Sequence, residues 1–205
     1  MSKNTAHIAA VIGASGSGKS TYIKQTLRRA KPARLLIWDP QNEYAEFGAP
    51  VRTLTDMHAA LVTAGKRGKF SMVFTPDGDP RKMVKQFDLF CLLAYHAGNL
   101  TMVCEELADV TQPGNAPAGW SVSTRKGRHA GLRLYGASQR PASIDKHFFG
   151  NATVIRTGRL NFAADIKGMA NVLQVPEDEI RALLPLEWVE RDMQNGKITR
   201  GKITF

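Results

Sequence analysis

The sequence is poor in the features that mark secreted, membrane-bound or multidomain proteins. It contains only two cysteines, Cys91 and Cys104, whose spacing fits neither a metal site nor a redox motif. We therefore expect both to be reduced core residues of a cytosolic protein. The polar start, Met1 to Thr5, and the short apolar run behind it predict neither a signal peptide nor a membrane span. No stretch rich in Ser, Gly and Pro divides the 205 residues, which predicts one domain, 1–205.

Acidic residues are scarce and unevenly placed. The chain has 28 Lys and Arg residues against 18 Asp and Glu residues, a net charge of +10. No Asp or Glu occurs between Val110 and Ile144, and we call this segment the acid-free stretch. Its basic residues are Arg125, Lys126, Arg128, Arg133 and Arg140. The imbalance suits a polyanionic partner beyond a nucleotide. The net charge alone is explained equally well by solubility together with phosphate binding.

One glycine-rich segment carries the clearest chemical signal. The residues from Gly13 to Ser20 fit the pattern G-x-x-x-x-G-K-[ST], the phosphate-binding P-loop. An apolar run, 7–12, precedes the segment and predicts a buried strand, and residues 20–30 have helical spacing. Glycines let backbone N–H groups converge on phosphate oxygens, and the following helix points its positive end at the same anion. Strand, loop and helix occur in the expected order, which predicts a nucleoside triphosphate site rather than a chance glycine-rich turn.

Two side chains of this P-loop have predicted roles of their own. Lys19 is expected to reach the β- and γ-phosphates, and Ser20 to offer its hydroxyl to Mg²⁺. The predicted nucleotide-binding residues are Gly13, Ala14, Ser15, Gly16, Ser17, Gly18, Lys19, Ser20 and Thr21.

A pair of glutamates, Glu105 and Glu106, follows the apolar run 100–104. P-loop NTPases place acidic residues after such a strand, where one carboxylate completes the Mg²⁺ shell and the next polarises the attacking water. The alternative is a solvated pair at a strand end or in the first turn of a helix. Because the same chain contains a P-loop, we interpret the pair as functional.

Three further polar residues follow predicted strands. Asp39 and Glu43 lie at the carboxyl end of the second strand, where ligands collect in parallel sheets. A turn-forming Asp-Pro explains Asp39 equally well. Gln139 ends another strand, and its neutral amide would suit a contact with the γ-phosphate or the attacking water; as an isolated residue it would be read as a loop glutamine.

Strands and helices alternate along the chain, which predicts an α/β fold with a mostly parallel sheet sandwiched by helices. Helix caps are predicted at Thr55 and Asp79, and a loop at 111–119. The tail, 188–205, alternates around Asn195-Gly196, which predicts a C-terminal β-hairpin. Other predicted strands are 34–38, 69–75, 100–104, 132–138 and 153–157, and predicted helices are 55–64, 80–97, 162–173 and 177–184.

Taken together, these motifs resemble the FtsK–HerA superfamily of DNA-pumping ATPases. Within it the chain is most similar to viral genome-packaging ATPases, with zonula-occludens-toxin-like phage assembly ATPases as cousins. The resemblance extends from Ile8 to about Leu184, and one departure is Glu105, where the family usually has Asp. Besides the P-loop, it rests on Trp38-Asp39-Pro40 with Glu43-Tyr44, Met102-Val103-Cys104-Glu105-Glu106, Gly127-Arg128-His129 and Ser138-Gln139-Arg140-Pro141.

The resemblance implies a RecA-like core, ATP and Mg²⁺ as ligands, and ATP hydrolysis to ADP and phosphate coupled to DNA movement. Glu105 and Ser20 would hold Mg²⁺, Glu106 would be the catalytic base and Gln139 the γ-phosphate sensor. Family members form rings in which a neighbour's arginine completes each site. The candidates for that arginine are Arg125, Arg128 and Arg140, of which we favour Arg128.

The implied function is to package double-stranded viral DNA into a capsid as a homo-oligomeric ring, with a capsid or portal-vertex protein as partner and without membrane insertion. The protein would lie in the host cytoplasm or on the virion. Within the acid-free stretch, Arg125 and Lys126 are expected near DNA phosphates, with Trp120 on an adjoining loop. The rivals are an assembly or secretion ATPase that moves protein or single-stranded phage DNA, and a P-loop phosphotransferase with an arginine-rich lid.

Overall fold

Residues 7–204 are described by a computed structural model, in which nine strands form one sheet. The strands are β1 (His7–Ile12), β2 (Arg34–Trp38), β3 (Ala49–Val51), β4 (Phe70–Phe74), β5 (Thr101–Cys104), β6 (Arg133–Ser138), β7 (Val154–Gly158), β8 (Glu187–Asp192) and β9 (Ile198–Lys202). Their order across the sheet is β3-β4-β2-β5-β6-β1-β7-β8-β9. The first seven run parallel, and β8 and β9 add an antiparallel hairpin at one end. The predicted α/β fold with a C-terminal hairpin is confirmed.

Helices cover both faces of the sheet. They are α1 (Lys19–Ala30), α2 (Leu54–Ala64), α3 (Pro80–Ala97), α4 (Ala118–Lys126), α5 (Lys146–Asn151), α6 (Ala163–Leu173) and α7 (Glu177–Arg181). Alternate residues of β1 face opposite sides, as the two-residue period of a strand requires. Ala9 and Val11 pack with α1, whereas Ile8, Ala10 and Ile12 belong to the larger core under the other helices. The sheet is therefore buried on both sides, which explains its nearly continuous apolar strands.

The sequence did not predict three short elements, β3, α4 and α5. The helix α4 begins at Ala118 and packs along α3, so the loop predicted at 111–119 ends earlier than its composition indicates. Trp120 lies in α4 and is fully buried against Phe87 and Phe148. The expectation of Trp120 on a loop beside DNA was therefore wrong. The α2 cap was also misplaced, because Thr53 rather than Thr55 accepts the backbone N–H of Asp56.

The parallel strands have level ends, which gives the sheet two distinct edges. At the amino-terminal ends of these strands, Thr101 of β5 is paired with Arg133 of β6, and Arg133 is paired with His7 of β1. We call this side the amino edge, and the side where the same strands end the carboxyl edge. The P-loop and the residues after β2, β5, β6 and β7 all lie at the carboxyl edge. Within residues 7–204, no helix has both the length and the apolar character needed to cross a membrane.

Candidate active site

The P-loop connects β1 to α1 at the centre of the carboxyl edge. Its backbone is fixed on both sides, because the Gly13 N–H donates to the Ser138 carbonyl at 3.2 Å and the Ala14 N–H donates to the Arg159 carbonyl at 2.8 Å. Gly13 has a φ of 155°, and a Cβ there would lie 2.4 Å from the Ser17 hydroxyl. A side chain at this position would therefore clash with Ser17 in a strained backbone conformation, so the loop favours glycine. The predicted strand–loop–helix context is confirmed.

Lys19 is turned back onto the loop. Its Nζ donates to the carbonyls of Gly13 at 2.9 Å and Ala14 at 3.4 Å, and the residue is 9% exposed. Burial lowers the pKa of this ammonium, while Glu106 and Glu105 act in the opposite direction. Lys19 has no salt-bridge partner within residues 7–204. A buried cation paired only with carbonyls fits a site that receives an anion such as a triphosphate.

Glu105 is 4% exposed and lies at the end of β5. Its carboxylate accepts a hydrogen bond from the fully buried hydroxyl of Tyr44, which also contacts the Ser20 side chain. Burial raises the pKa of Glu105 to about 7, against the opposing effects of the Tyr44 hydrogen bond and the Lys19 charge. Tyr44 thus joins the two residues that the sequence predicts as Mg²⁺ ligands. The sequence did not indicate this role, although Tyr44 follows Glu43 in a motif that supports the family resemblance.

The turn after β2 is organised by Asp39. This buried carboxylate accepts the backbone N–H groups of Glu43 at 3.0 Å and Tyr44 at 2.8 Å. Both oxygens are therefore occupied within the turn, which favours the structural interpretation of Asp39. Glu43 is exposed, and its charge acts on Lys19 and Glu105.

Glu106 and Gln139 meet beside the P-loop. Gln139 Nε2 donates to Glu106 Oε1 at 2.8 Å, because the neighbouring strands β5 and β6 end side by side. Glu106 has a left-handed backbone with a φ of 50°, which turns its side chain away from the direction of Glu105. The structure therefore brings together the residues predicted as base and γ-phosphate sensor. Their chemical roles remain predictions.

The three candidate arginines have different positions. Arg140 lies at the carboxyl edge, where its Nε donates to the buried Asp165 at 2.7 Å and its guanidinium stacks on Phe162 at 4.1 Å. Arg125, in the last turn of α4, and Arg128, between α4 and β6, are both exposed and lie at the amino edge. Arg128 therefore lies across the sheet from its own P-loop. Its role at the site of a neighbouring subunit remains a prediction.

The C-terminal hairpin packs against the start of α1. Gly18 has a φ of 92°, and a Cβ there would lie 2.5 Å from Ile203 and 3.2 Å from Leu186. The carbonyl of Thr204 accepts a hydrogen bond from Gln25 at 2.7 Å. The sequence did not predict this contact, because it forms only when β8 and β9 pair antiparallel with the end of the sheet at β7. It makes the hairpin part of the support of the P-loop.

These residues fit a magnesium–nucleotide ligand. Ser20 and Glu105 supply the hard oxygen donors that Mg²⁺ prefers. The Tyr44 hydroxyl contacts both side chains and so keeps them close together. Among residues 7–204, no cluster of three His, Cys, Asp or Glu side chains forms a separate metal site. An ion held by two protein oxygens is typical where substrate phosphates complete the shell.

No known protein-family model matches the sequence. Protein P9 of Pseudoalteromonas phage PM2 is 33% identical over 192 residues, which cover 91% of this chain and 84% of P9. The chain belongs to the P9 family. This match spans almost the whole chain.

Solved structures show the same fold as this member of the P9 family. The genome packaging NTPase B204 of Sulfolobus turreted icosahedral virus 2, in complex with AMPPCP, has a TM-score of 0.77 and 17% identity, with 98% of each chain covered. VirB4 of Thermoanaerobacter pseudethanolicus has a TM-score of 0.74 and 12% identity, covering 100% of this chain and 91% of VirB4. These matches confirm, at the level of the fold, the predicted resemblance to viral genome-packaging ATPases of the FtsK–HerA type. With the intact P-loop, they support the predicted enzyme class, an ATPase.

Proposed function

We propose that this chain is an ATPase that moves double-stranded DNA into a viral capsid while assembled as a homo-oligomeric ring. The observation that carries this proposal is the contact between Glu106 and Gln139 beside Lys19, which joins three predicted catalytic elements in one site. The kinship with a phage protein and the fold shared with a genome packaging NTPase support the choice of substrate. We place the protein in the host cytoplasm or on the virion, with a capsid or portal-vertex protein as partner.

In the proposed reaction, a water oxygen bonds to the γ-phosphorus while the bond to the bridging oxygen of ADP breaks. Glu106 accepts the proton of this water, and Gln139 orients the water or the γ-phosphate through its neutral amide. Lys19 leaves the carbonyls of the P-loop and binds the β- and γ-phosphates. Ser20 and Glu105 would hold Mg²⁺, which would supply positive charge beside the phosphate oxygens.

Ring assembly gives Arg128 its function in this proposal. In the ring that we propose, the part of the amino edge that carries Arg128 faces the carboxyl edge of the next subunit, so that Arg128 reaches the neighbour's γ-phosphate. Such an arginine stabilises charge that develops in the transition state. Arg140 suits this role less well, because it is held by Asp165 of its own subunit.

One of the two rivals fits the structure less well. A small-molecule phosphotransferase requires basic residues over its own P-loop, whereas Arg125 and Lys126 lie at the opposite edge of the sheet. An assembly or secretion ATPase is compatible with the fold shared with VirB4. The substrate that stimulates hydrolysis separates this rival from a packaging motor.

The deciding experiment measures ATP hydrolysis with and without duplex DNA, together with the solution mass of the protein. We expect duplex DNA of any sequence to bind at low salt and to stimulate hydrolysis in an oligomer. Binding should weaken steeply with salt, because backbone contacts release counterions. Stimulation by single-stranded DNA alone, or no response to any DNA, would contradict the proposed function.

A further inference from the structure

The amino edge of the sheet collects basic residues from distant parts of the sequence. We define the basic face as the exposed side chains Lys66, Arg67, Lys69, Arg125, Lys126 and Arg133. The first three lie in the connection from α2 to β4, and the other three lie at the end of α4 and the start of β6. The face lies opposite the P-loop, and the proposed hydrolysis uses none of these residues.

Partly buried hydrogen bonds join these connections into one surface. The Arg34 guanidinium donates to the carbonyls of Gly65 at 2.9 Å and Gly68 at 2.7 Å, and also to that of Ala97 at 3.2 Å, at the end of α3. The Asn99 N–H then donates to the Ala130 carbonyl, in the connection from α4 to β6, at 2.7 Å. A continuous chain of contacts therefore runs from one half of the basic face to the other.

The strand register sets the width of this surface. The strands β4, β2, β5 and β6 are consecutive neighbours, and Lys69 and Arg133 lie at the starts of the outer two. Three strand spacings separate these outer strands by about 14 Å. Such a surface spans several phosphates of a duplex, which carries one charge per about 1.7 Å of axis.

The charge of the basic face is not neutralised by carboxylates in the described part of the chain. None of its six cations makes an ion pair within residues 7–204, whereas Arg140 and Arg156 are paired with carboxylates. Uncompensated cations on one surface create a field that attracts a polyanion.

We propose that the basic face is the surface through which this chain binds the phosphates of duplex DNA. The inference rests on the proposed function and names the surface for its substrate.

Single-stranded binding requires exposed aromatic rings for base stacking. The exposed large apolar residues of the described part include one aromatic, Phe162, which lies at the other edge. Binding to an anionic membrane would also require several large apolar side chains at the face. Only the exposed Val62 of α2 lies nearby among the described residues.

The test compares two variants of the face with a matched control. One replaces Lys66, Arg67 and Lys69 with alanine, and the other is Arg125→Ala/Lys126→Ala. The control, Arg81→Ala/Lys85→Ala, removes two exposed cations from the start of α3 at the carboxyl edge. Duplex binding is measured as a function of salt for the full chain, and unfolding midpoints verify that each variant is folded.

We expect both face variants to weaken duplex binding and the control to match the unaltered chain. The slope of log K against log salt should fall by about one for each phosphate that the variant no longer neutralises. Duplex binding that is unchanged in both face variants would overturn this placement and leave the proposed function intact. A loss confined to binding of vesicles with anionic phospholipid would likewise overturn it. Absence of duplex binding by the unaltered chain would contradict both proposals.

Discussion

At the scale of single residues, Glu105 and Glu106 are adjacent in sequence and have different surroundings. Glu105 is buried and accepts a hydrogen bond from the Tyr44 hydroxyl, whereas Glu106 is half-buried and accepts one from the Gln139 amide. Both residues follow the end of β5, and the left-handed conformation of Glu106 turns its side chain away from that of Glu105. These surroundings suit a metal ligand and a general base, respectively.

Substitution of each glutamate by glutamine tests this division. Glu106→Gln should still bind nucleotide, while turnover falls by about 10²- to 10⁴-fold, because general-base assistance typically contributes that much. Glu105→Gln should instead weaken Mg²⁺-dependent ATP binding, with partial rescue by added Mg²⁺. The measurements are Mg²⁺ titrations with ATP-binding and single-turnover readouts. Normal hydrolysis by Glu106→Gln, together with normal binding but no turnover by Glu105→Gln, would reverse the assignment.

Tyr44→Phe removes one hydroxyl and keeps the buried ring beside Lys24. We expect this change to leave the Glu105 carboxylate without the donor that positions it next to Ser20. Losing such a buried hydrogen bond costs about 1–2 kcal/mol, so Mg²⁺-dependent ATP affinity should fall by about 5- to 30-fold.

Nucleotide titrations in Mg²⁺ and in EDTA separate this effect from general damage to the site. Affinity in EDTA should be unchanged in Tyr44→Phe, and the control Tyr95→Phe at the end of α3 should have no effect in either condition. An equal loss in both conditions would show that Tyr44 supports the site only through packing.

The sequence predicted the residues whose chemistry depends on spacing, and it missed those that depend on burial. The P-loop and the glutamate pair could be predicted because each is a short contiguous motif next to an apolar strand. The contact of Tyr44 with Glu105 joins residues 61 positions apart, so no local pattern contains it. Trp120 was misplaced for the same reason, because its surroundings in the sequence resemble a loop until α4 is packed against α3.

At the scale of elements, the long strands and helices were predictable because their apolar periodicity is strong. The elements that escaped prediction are short or contain residues of low propensity. The strand β3 has three residues with a proline at its centre, and α4 contains glycine, serine and threonine. Gly119 is required in α4, because a Cβ there would lie 2.3 Å from the Asp88 carbonyl. Close packing of α4 on α3 thus overrides weak local preference.

Besides the contacts at Gly18 and Gln25, one side chain of β7 links the hairpin β8–β9 to α1. Arg156 is stacked between the rings of Tyr22 and Trp188, each 3.7 Å away, and its Nε donates to Glu190 at 2.7 Å. Arg156→Met should therefore destabilise the fold by about 2–4 kcal/mol, because it leaves a partly buried carboxylate unpaired and removes both cation–π contacts.

Urea denaturation measures this loss, and another ion pair of the hairpin provides the control. Arg200 pairs with Glu179 at the surface, and Arg200→Ala should cost less than about 1 kcal/mol. Equal losses in the two variants would contradict a special role for Arg156 in attaching the hairpin.

At the scale of the whole molecule, the sheet separates two kinds of chemistry. The carboxyl edge holds the P-loop and the glutamates, and the amino edge holds the basic face and Arg128. Parallel strands make this separation possible, because every connection returns to the same edge before the next strand begins. In the proposed ring, only the part of the amino edge that carries Arg128 approaches the ATP site of the next subunit, so Arg128 is shared between subunits while the basic face stays free for DNA.

A mixing experiment tests this sharing. Arg128→Ala should bind ATP and hydrolyse it poorly, since an arginine finger contributes about 10³- to 10⁵-fold in P-loop enzymes. Lys19→Ala should lose phosphate binding at its own site and keep an intact Arg128. In rings formed from an equal mixture, about one quarter of the head-to-tail junctions would combine an intact Lys19 with an intact neighbouring Arg128. We therefore expect partial recovery of hydrolysis, measured after subunit exchange has been verified.

The control mixes Glu106→Gln with Lys19→Ala, whose defects lie in the same half of the junction and should not complement. No recovery in the first mixture, or equal recovery in both, would show that Arg128 does not act on a neighbouring site.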